Sequence, residues 1–270
     1  MKLGSATAFV AEAALWISGA ALIASAAGMS WSVDVSSLVG SQASASASVN
    51  PSAGPSATIA VESLAPGTSP TMSPVAAKFL ACVALPDFQI KTKFTMSDIF
   101  ASGGSATDAE QNGTLSYKNG DDATSFRLTA NGTVTAYEVV DVGSASYSRE
   151  NGGTWKKSAR EATDAQSDRL LFAPTLAFVD KGVEEKNGAQ LHRLEVMDPG
   201  SFSKALLRVF PDLTDAQETM TVWVGNDGVP AAYRINGWVQ RPDNGVSTRV
   251  TDIQEYRVIS TSGVTITAPI

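Results

Sequence analysis

Asparagine followed by glycine recurs at four places in this chain, Asn119-Gly120, Asn131-Gly132, Asn151-Gly152 and Asn187-Gly188, each time between runs rich in strand-forming residues. Both residues tolerate positive φ, which the two-residue turn of a β-hairpin requires, and the twist of that turn matches the strands it joins. Antiparallel pairing of sequence neighbours follows. Strands are predicted over Phe88–Phe94, Gly113–Lys118, Thr124–Ala130, Thr133–Asp141, Ser144–Arg149, Gly182–Lys186 and Ala189–Val196. The stretch Ala101–Asn112 is polar and contains glycine, and it reads as an exposed, mobile loop.

A longer hairpin is predicted over Thr219–Gln240. Met220, Val222 and Val224 alternate with Thr219, Thr221 and Trp223, and Tyr233, Ile235 and Val239 alternate with Arg234, Asn236 and Gln240. Each arm thus has one apolar face, with Gly225-Asn226-Asp227-Gly228 as the turn and Pro230 just beyond it. The chain closes with Ser247–Ser260 and Val264–Pro269.

A first helix is predicted before the strands, and two later segments, around Leu170–Val179 and Phe202–Leu213, supply apolar faces to lie over the sheet. Val75–Leu85 has helix-forming residues and a stop at Pro86, and Leu170–Val179 is ambiguous between a broken helix and a buried strand, with Pro174 favouring the helix or a loop-and-helix lid. Asp198-Pro-Gly-Ser201 caps a helix that places Phe202, Leu206, Val209, Phe210 and Leu213 on one face. The expected fold class is α+β: a curved antiparallel β-sheet capped by a few helices.

The amino-terminal part reads differently. Residues 1–28 have Lys2 ahead of an apolar run, Ala6–Ala27, with Ala24-Ser25-Ala26 near its end, and read as a signal peptide or a membrane anchor, although Glu12 interrupts the run. Residues 29–74 are dominated by Ser, Ala and Pro and read as a disordered tether. The folded domain is expected over 75–270. The protein is therefore expected to be exported, to the cell envelope or beyond, and to be a monomer.

Several chemistries are excluded. A net charge of −7 and no basic stripe argue against a nucleic-acid partner. The single histidine, His192, and single cysteine, Cys82, exclude two-histidine metal sites and histidine relays, cysteine-rich metal sites and internal disulfides. No metal and no cofactor is expected. Ser201-Phe-Ser-Lys204 matches S-x-x-K without its companion motifs, so Ser201 reads as a helix cap. Asp121-Asp122, Glu184-Glu185 and Asp227 lie in turn-like contexts and read as solvated, and no catalytic residue is assigned.

What remains is apolar surface. Phe88, Ile90, Leu115, Phe126 and Leu128 from the first strands and Val222, Val224, Tyr233 and Ile235 from the long hairpin are candidate walls of a ligand cavity. Leu171, Phe172, Leu176 and Phe178, with Leu206 and Phe210, are its candidate cover.

The order of these parts resembles the LolA/LolB-like lipoprotein carriers, most nearly the LppX/LprG-type bacterial envelope lipoproteins. The resemblance is carried by Val142-Gly-Ser-Ala-Ser-Tyr147, Gly153-Thr-Trp155, Val183-Glu-Glu-Lys-Asn-Gly188, Val222-Trp-Val-Gly-Asn-Asp-Gly-Val-Pro230 and Tyr256–Pro269. It implies a half-open β-barrel closed by helices around a hydrophobic cavity that holds the acyl chains of a lipid, glycolipid or lipid-modified ligand, without catalysis. Ala24-Ser-Ala-Ala-Gly28 departs from it, lacking the cysteine that anchors such lipoproteins. RseB-type stress sensors are similar to the same fold, which implies as an alternative a sensor or interaction module with a membrane-protein partner.

Overall fold

The computed structural model describes residues 72–102, 105–160, 169–210, 213–243 and 246–269; the signal or anchor segment and all but the end of the tether lie outside them. Asn119, Asn131, Asn151 and Asn187 all have positive φ, between 49° and 55°, and so do the glycines that follow them. Asn119-Gly120, Asn131-Gly132 and Asn187-Gly188 make two-residue hairpin turns, whereas Asn151-Gly152 turns the chain within the longer connection from Glu150 to Lys156.

Eleven strands result: β1 (Gln89–Ser102), β2 (Ser105–Lys118), β3 (Asp121–Ala130), β4 (Thr133–Val142), β5 (Ala145–Glu150), β6 (Lys156–Ala159), β7 (Phe178–Lys186), β8 (Ala189–Val196), β9 (Asp215–Val224), β10 (Pro230–Asp243) and β11 (Val246–Ser260). They form one antiparallel sheet in the order β6-β5-β4-β3-β2-β1-β11-β10-β9-β8-β7. The chain starts at the centre and steps outward to β6. It then crosses to the opposite edge and steps back until β11 pairs with β1. The edges β6 and β7 do not pair, so the sheet is curved but unclosed.

Of the expected loop Ala101–Asn112, Ala101–Ser102 and Ser105–Asn112 are strand. β1 and β2 run as 14-residue strands, paired from Gln89↔Lys118 to Ser102↔Ser105. Buried Ala109 and Gln111 alternate with exposed Asp108, Glu110 and Asn112, a strand period concealed by composition because one of the inward residues is itself polar. The tail 264–269 is irregular rather than extended in the sheet. It is held where the Val264 amide donates to Gln89 Oε1 at 2.8 Å and Lys118 Nζ donates to the Val264 carbonyl at 3.0 Å.

One transverse row on the inner face ties eight strands together. In register it reads Tyr137, Phe126, Gly113, Phe94, Tyr256, Tyr233, Val222 and Leu194, from β4 through β8. Tyr233 stacks on Tyr256 with centroids 4.2 Å apart, Phe94 lies 5.8 Å from Tyr256, and Phe126 stacks on Tyr137 at 5.2 Å. Gly113 is the gap that lets Phe94 and Phe126 face each other at 6.4 Å. A Cβ there would lie 2.2 Å from the Ser125 carbonyl oxygen and 2.6 Å from Phe126 Cβ. Glycine inside a strand marks such sharp bends. Gly113→Ala is accordingly expected to cost about 2–3 kcal/mol of stability in urea unfolding; an unchanged midpoint would show that the bend does not depend on the missing side chain.

Candidate binding site

The inner face is covered by helical segments. Helix α1 (Pro74–Val83) begins where Ser73 Oγ accepts the Ala76 amide at 3.1 Å, with Pro74 in the first turn, and it buries Ala76, Phe79 and Val83 along one side. Its backbone rests on the β9–β10 turn, where a Cβ on Gly228 would come within 2.5 Å of the Phe79 nitrogen, and Lys78 Nζ donates to the Asn226 carbonyl at 3.0 Å.

A short 3-10 helix over Arg169–Thr175, with Pro174 inside it, follows. Helix α2 (Pro199–Val209) starts with Asp198 accepting the Gly200 amide at 3.0 Å and ends before Phe210. Aromatic contacts join the segments: Phe79 meets Phe178 edge-on at 5.4 Å, and Phe172 packs on Phe202 at 6.1 Å and on Phe210 at 6.5 Å. The expected broken helix at Leu170–Val179 is thus the 3-10 turn followed directly by β7.

The proposed wall and cover residues come together in one core. Phe88, Ile90, Leu115, Phe126, Leu128, Phe172, Leu176, Phe178, Leu206, Phe210, Val222, Val224, Tyr233 and Ile235 are buried in it, and Leu171 packs half-buried against it. Ile90, Leu206, Val222, Val224 and Ile235 have 0% exposure. A gap wide enough for water beside these side chains would leave them some accessible area, so the space between sheet and cover is occupied there by neighbouring side chains.

The interior also holds polar groups that alternation could have revealed. Asp98 falls on the same face of β1 as Phe94, Met96 and Phe100; Glu218 lies between Ala216 and Met220, and Asp252 and Gln254 between Val250 and Tyr256. Each continues an inward period that the length of the predicted strands cut short, or that a polar residue type disguised. In register, Asp98 pairs with Asp252, Asp252 with Gly237, and Gly237 with Glu218, making a row of three buried carboxylates across four strands.

α2 meets this row, since Ser203 Oγ accepts the Glu218 amide at 3.3 Å. Gln111 Nε2 donates to Asp98 Oδ2 at 3.0 Å, Gln254 donates to Asp252, and the Tyr256 hydroxyl donates to Gln254 Oε1 at 2.9 Å. Among the described residues no group of three His, Cys, Asp or Glu is arranged to hold a metal.

Burial pushes the Asp98 carboxyl up to about 7; the Gln111 hydrogen bond opposes this and the Glu218 charge adds to it. The unfolded chain releases this proton near its ordinary value of 3.8, whereas the folded chain holds it to about 7. Between these values the unfolded state binds fewer protons, so this group makes stability fall as pH rises. Asp98→Asn removes that effect: its urea midpoint is expected to exceed that of the wild type at pH 8, with the difference shrinking toward pH 4. A constant difference across the range would show that Asp98 does not titrate there.

The remaining candidate groups have structural roles. His192 is held between Asp180 Oδ2 at 3.0 Å from Nδ1 and Asn226 Oδ1 at 2.9 Å from Nε2. Ser201 is not the cap itself: Asp198 is, and Ser201, in the first turn of α2, donates its Oγ proton to the Asp198 carbonyl at 2.6 Å. Burial first, and then the Asp227 charge, raise the Cys82 thiol above its ordinary value, the opposite of what a reactive cysteine needs. Asp122 pairs with Arg160 at 2.9 Å, and Glu184 Oε1 accepts the Trp223 indole N–H at 2.5 Å. These two acids are anchored rather than merely solvated.

The described residues thus form an unclosed, curved antiparallel sheet with helices packed on its inner face. No family model matches the chain, and no curated protein matches it. Similar solved structures include the Mycobacterium tuberculosis lipoprotein LppX, at 11% identity over 72% of this chain and 98% of that one, with a TM-score of 0.37. A LolA superfamily protein of Nitrosomonas europaea is similar at 10% identity over 66% of this chain and 89% of that one, with a TM-score of 0.26. The Pseudomonas aeruginosa MucA/MucB complex is similar at 14% identity, covering 70% of this chain and 57% of the matched one, with a TM-score of 0.25. Likenesses this distant do not define equivalent residues, and the functional reading rests on the geometry of this chain.

Proposed function

We propose that this is an exported, non-catalytic protein that takes the acyl chain of a lipid or lipid-modified ligand between the sheet and its helical cover. The observation that carries the proposal is the construction of the cover. The apolar inner face of an eleven-stranded sheet is closed by separate helical pieces of 10, 7 and 11 residues. Displacing α2 exposes side chains such as Phe202 and Leu206, at about 1.5–3 kcal/mol each. An incoming chain offsets this at about 0.8 kcal/mol per buried CH₂, so about fourteen carbons contribute on the order of 10 kcal/mol. The closed interior is then the ligand-free state of the site. The folded domain over 75–270 would work at the end of the 29–74 tether, carried on the export or anchor segment 1–28.

The expected result is lipid retained in native mass spectrometry of the full chain and saturable uptake of cis-parinaric acid. Leu171→Asp, at the half-buried rim of the cover, is expected to weaken that uptake about fivefold or more. Absence of both retained lipid and fatty-acid uptake would overturn the proposal. The filled core favours, as the second reading, an interaction module that binds a membrane-protein partner through its outside. That reading expects neither lipid nor uptake.

A further inference from the structure

The outer face of the sheet carries a second feature, independent of the interior. Because Phe94, Tyr256 and Tyr233 point inward, their neighbours point outward, and these form two rows. One row is Thr114, Lys93, Arg257, Ala232 and Trp223; the other is Asn112, Thr95, Glu255 and Arg234. The end of the β7–β8 hairpin leans over them. It is fixed by the hydrogen bond from Trp223 to Glu184 and by Lys186 Nζ, 4.3 Å from the centre of the Trp223 ring. Between the two rows and the Lys186-Asn187 turn lies a groove of about 450 Å³.

The charge of this groove runs against that of the chain. Among the described residues that line it, Lys93, Lys186, Arg234 and Arg257 are joined by one acid, Glu255, a local excess of three positive charges in a protein of net charge −7. Glu255 lies 3.9 Å from Arg234 Nε. Lys93 and Arg257 are direct cross-strand partners, both exposed, and neither has an ion pair among the described residues. Like charges opposed in this way destabilise a sheet, and a bound anion removes the penalty.

We infer that the groove is a binding site for a free, phosphate-bearing small molecule. An arginine fork beside a lysine ammonium is the pairing that takes phosphate oxygens, and Thr95, Thr114 and Asn112 add neutral donors on the same rim. Trp223 and Ala232 give the groove an apolar floor for the uncharged part of the ligand. The volume is that of a small-molecule cleft. The Lys186-Asn187 turn lines the same groove as the cations, and a groove with such a wall suits a soluble ligand better than the flat surface of a bilayer.

The test is calorimetric titration of the full chain with inorganic pyrophosphate in a low-salt buffer free of phosphate. Saturable binding is expected, weakened about tenfold or more in the double variant Lys93→Gln/Arg257→Gln and unchanged in Lys156→Gln, which lies on β6 away from the groove. Without anion, the double variant is expected to melt at or above the wild-type temperature, and pyrophosphate is expected to raise only the wild-type value. No saturable heat, or equal affinity in the double variant, would overturn the site. Cosedimentation with phosphatidylglycerol vesicles that needs Lys93 and Arg257, without pyrophosphate binding, would overturn the assignment to a free ligand.

Discussion

The contact of Phe94 with Phe126 across Gly113 is the constraint on which the rest of the structure depends. Two aromatic rings on strands that are not neighbours reach each other only because the strand between them presents no side chain. From Phe94, Tyr256 and Tyr233 carry the packing on to β10. A curved sheet has an inside, and the chain builds it with one leg outward from β1 to β6 and one leg back from the β7 edge to β11, the helical segments lying before β1, between β6 and β7, and between β8 and β9.

The cover and the sheet meet in two different chemistries. Under α1 and the 3-10 helix the contact is aromatic and aliphatic, through Phe79, Phe172 and Phe178. Under α2 it includes the buried row of Asp98, Asp252 and Glu218, tied to the helix through Ser203. Buried carboxylates cost free energy unless they are bonded, and Asp98 responds by holding its proton to about 7. The α2 end of the interior is therefore more polar and more sensitive to pH than the α1 end.

The two faces of the same strands are suited to different partners. Alternation along β1, β10 and β11 sends Phe94, Tyr233 and Tyr256 inward to an apolar core, and Lys93, Arg234 and Arg257 outward to a cationic groove. A lipid inside and an anion outside would thus touch adjacent residues of one strand. Neither use requires a catalytic group, and His192, Ser201 and Cys82 are all engaged in the fold.

The amino-acid sequence by itself determined the turns, the hairpins and the caps, because these depend on local backbone chemistry. The Asn-Gly turns, the long hairpin and the Asp198 cap needed no distant partner to be read. It also marked the apolar residues that became the core. Tertiary structure alone decided the rest. That polar Ser105–Asn112 is strand, that Asp98, Glu218 and Asp252 face inward in one row, and that Lys93 opposes Arg257 all depend on register between segments distant in the chain. Register also decided that the candidate cavity residues fill one another's space: a hydrophobic pattern says which way a side chain points, and only packing says what it meets.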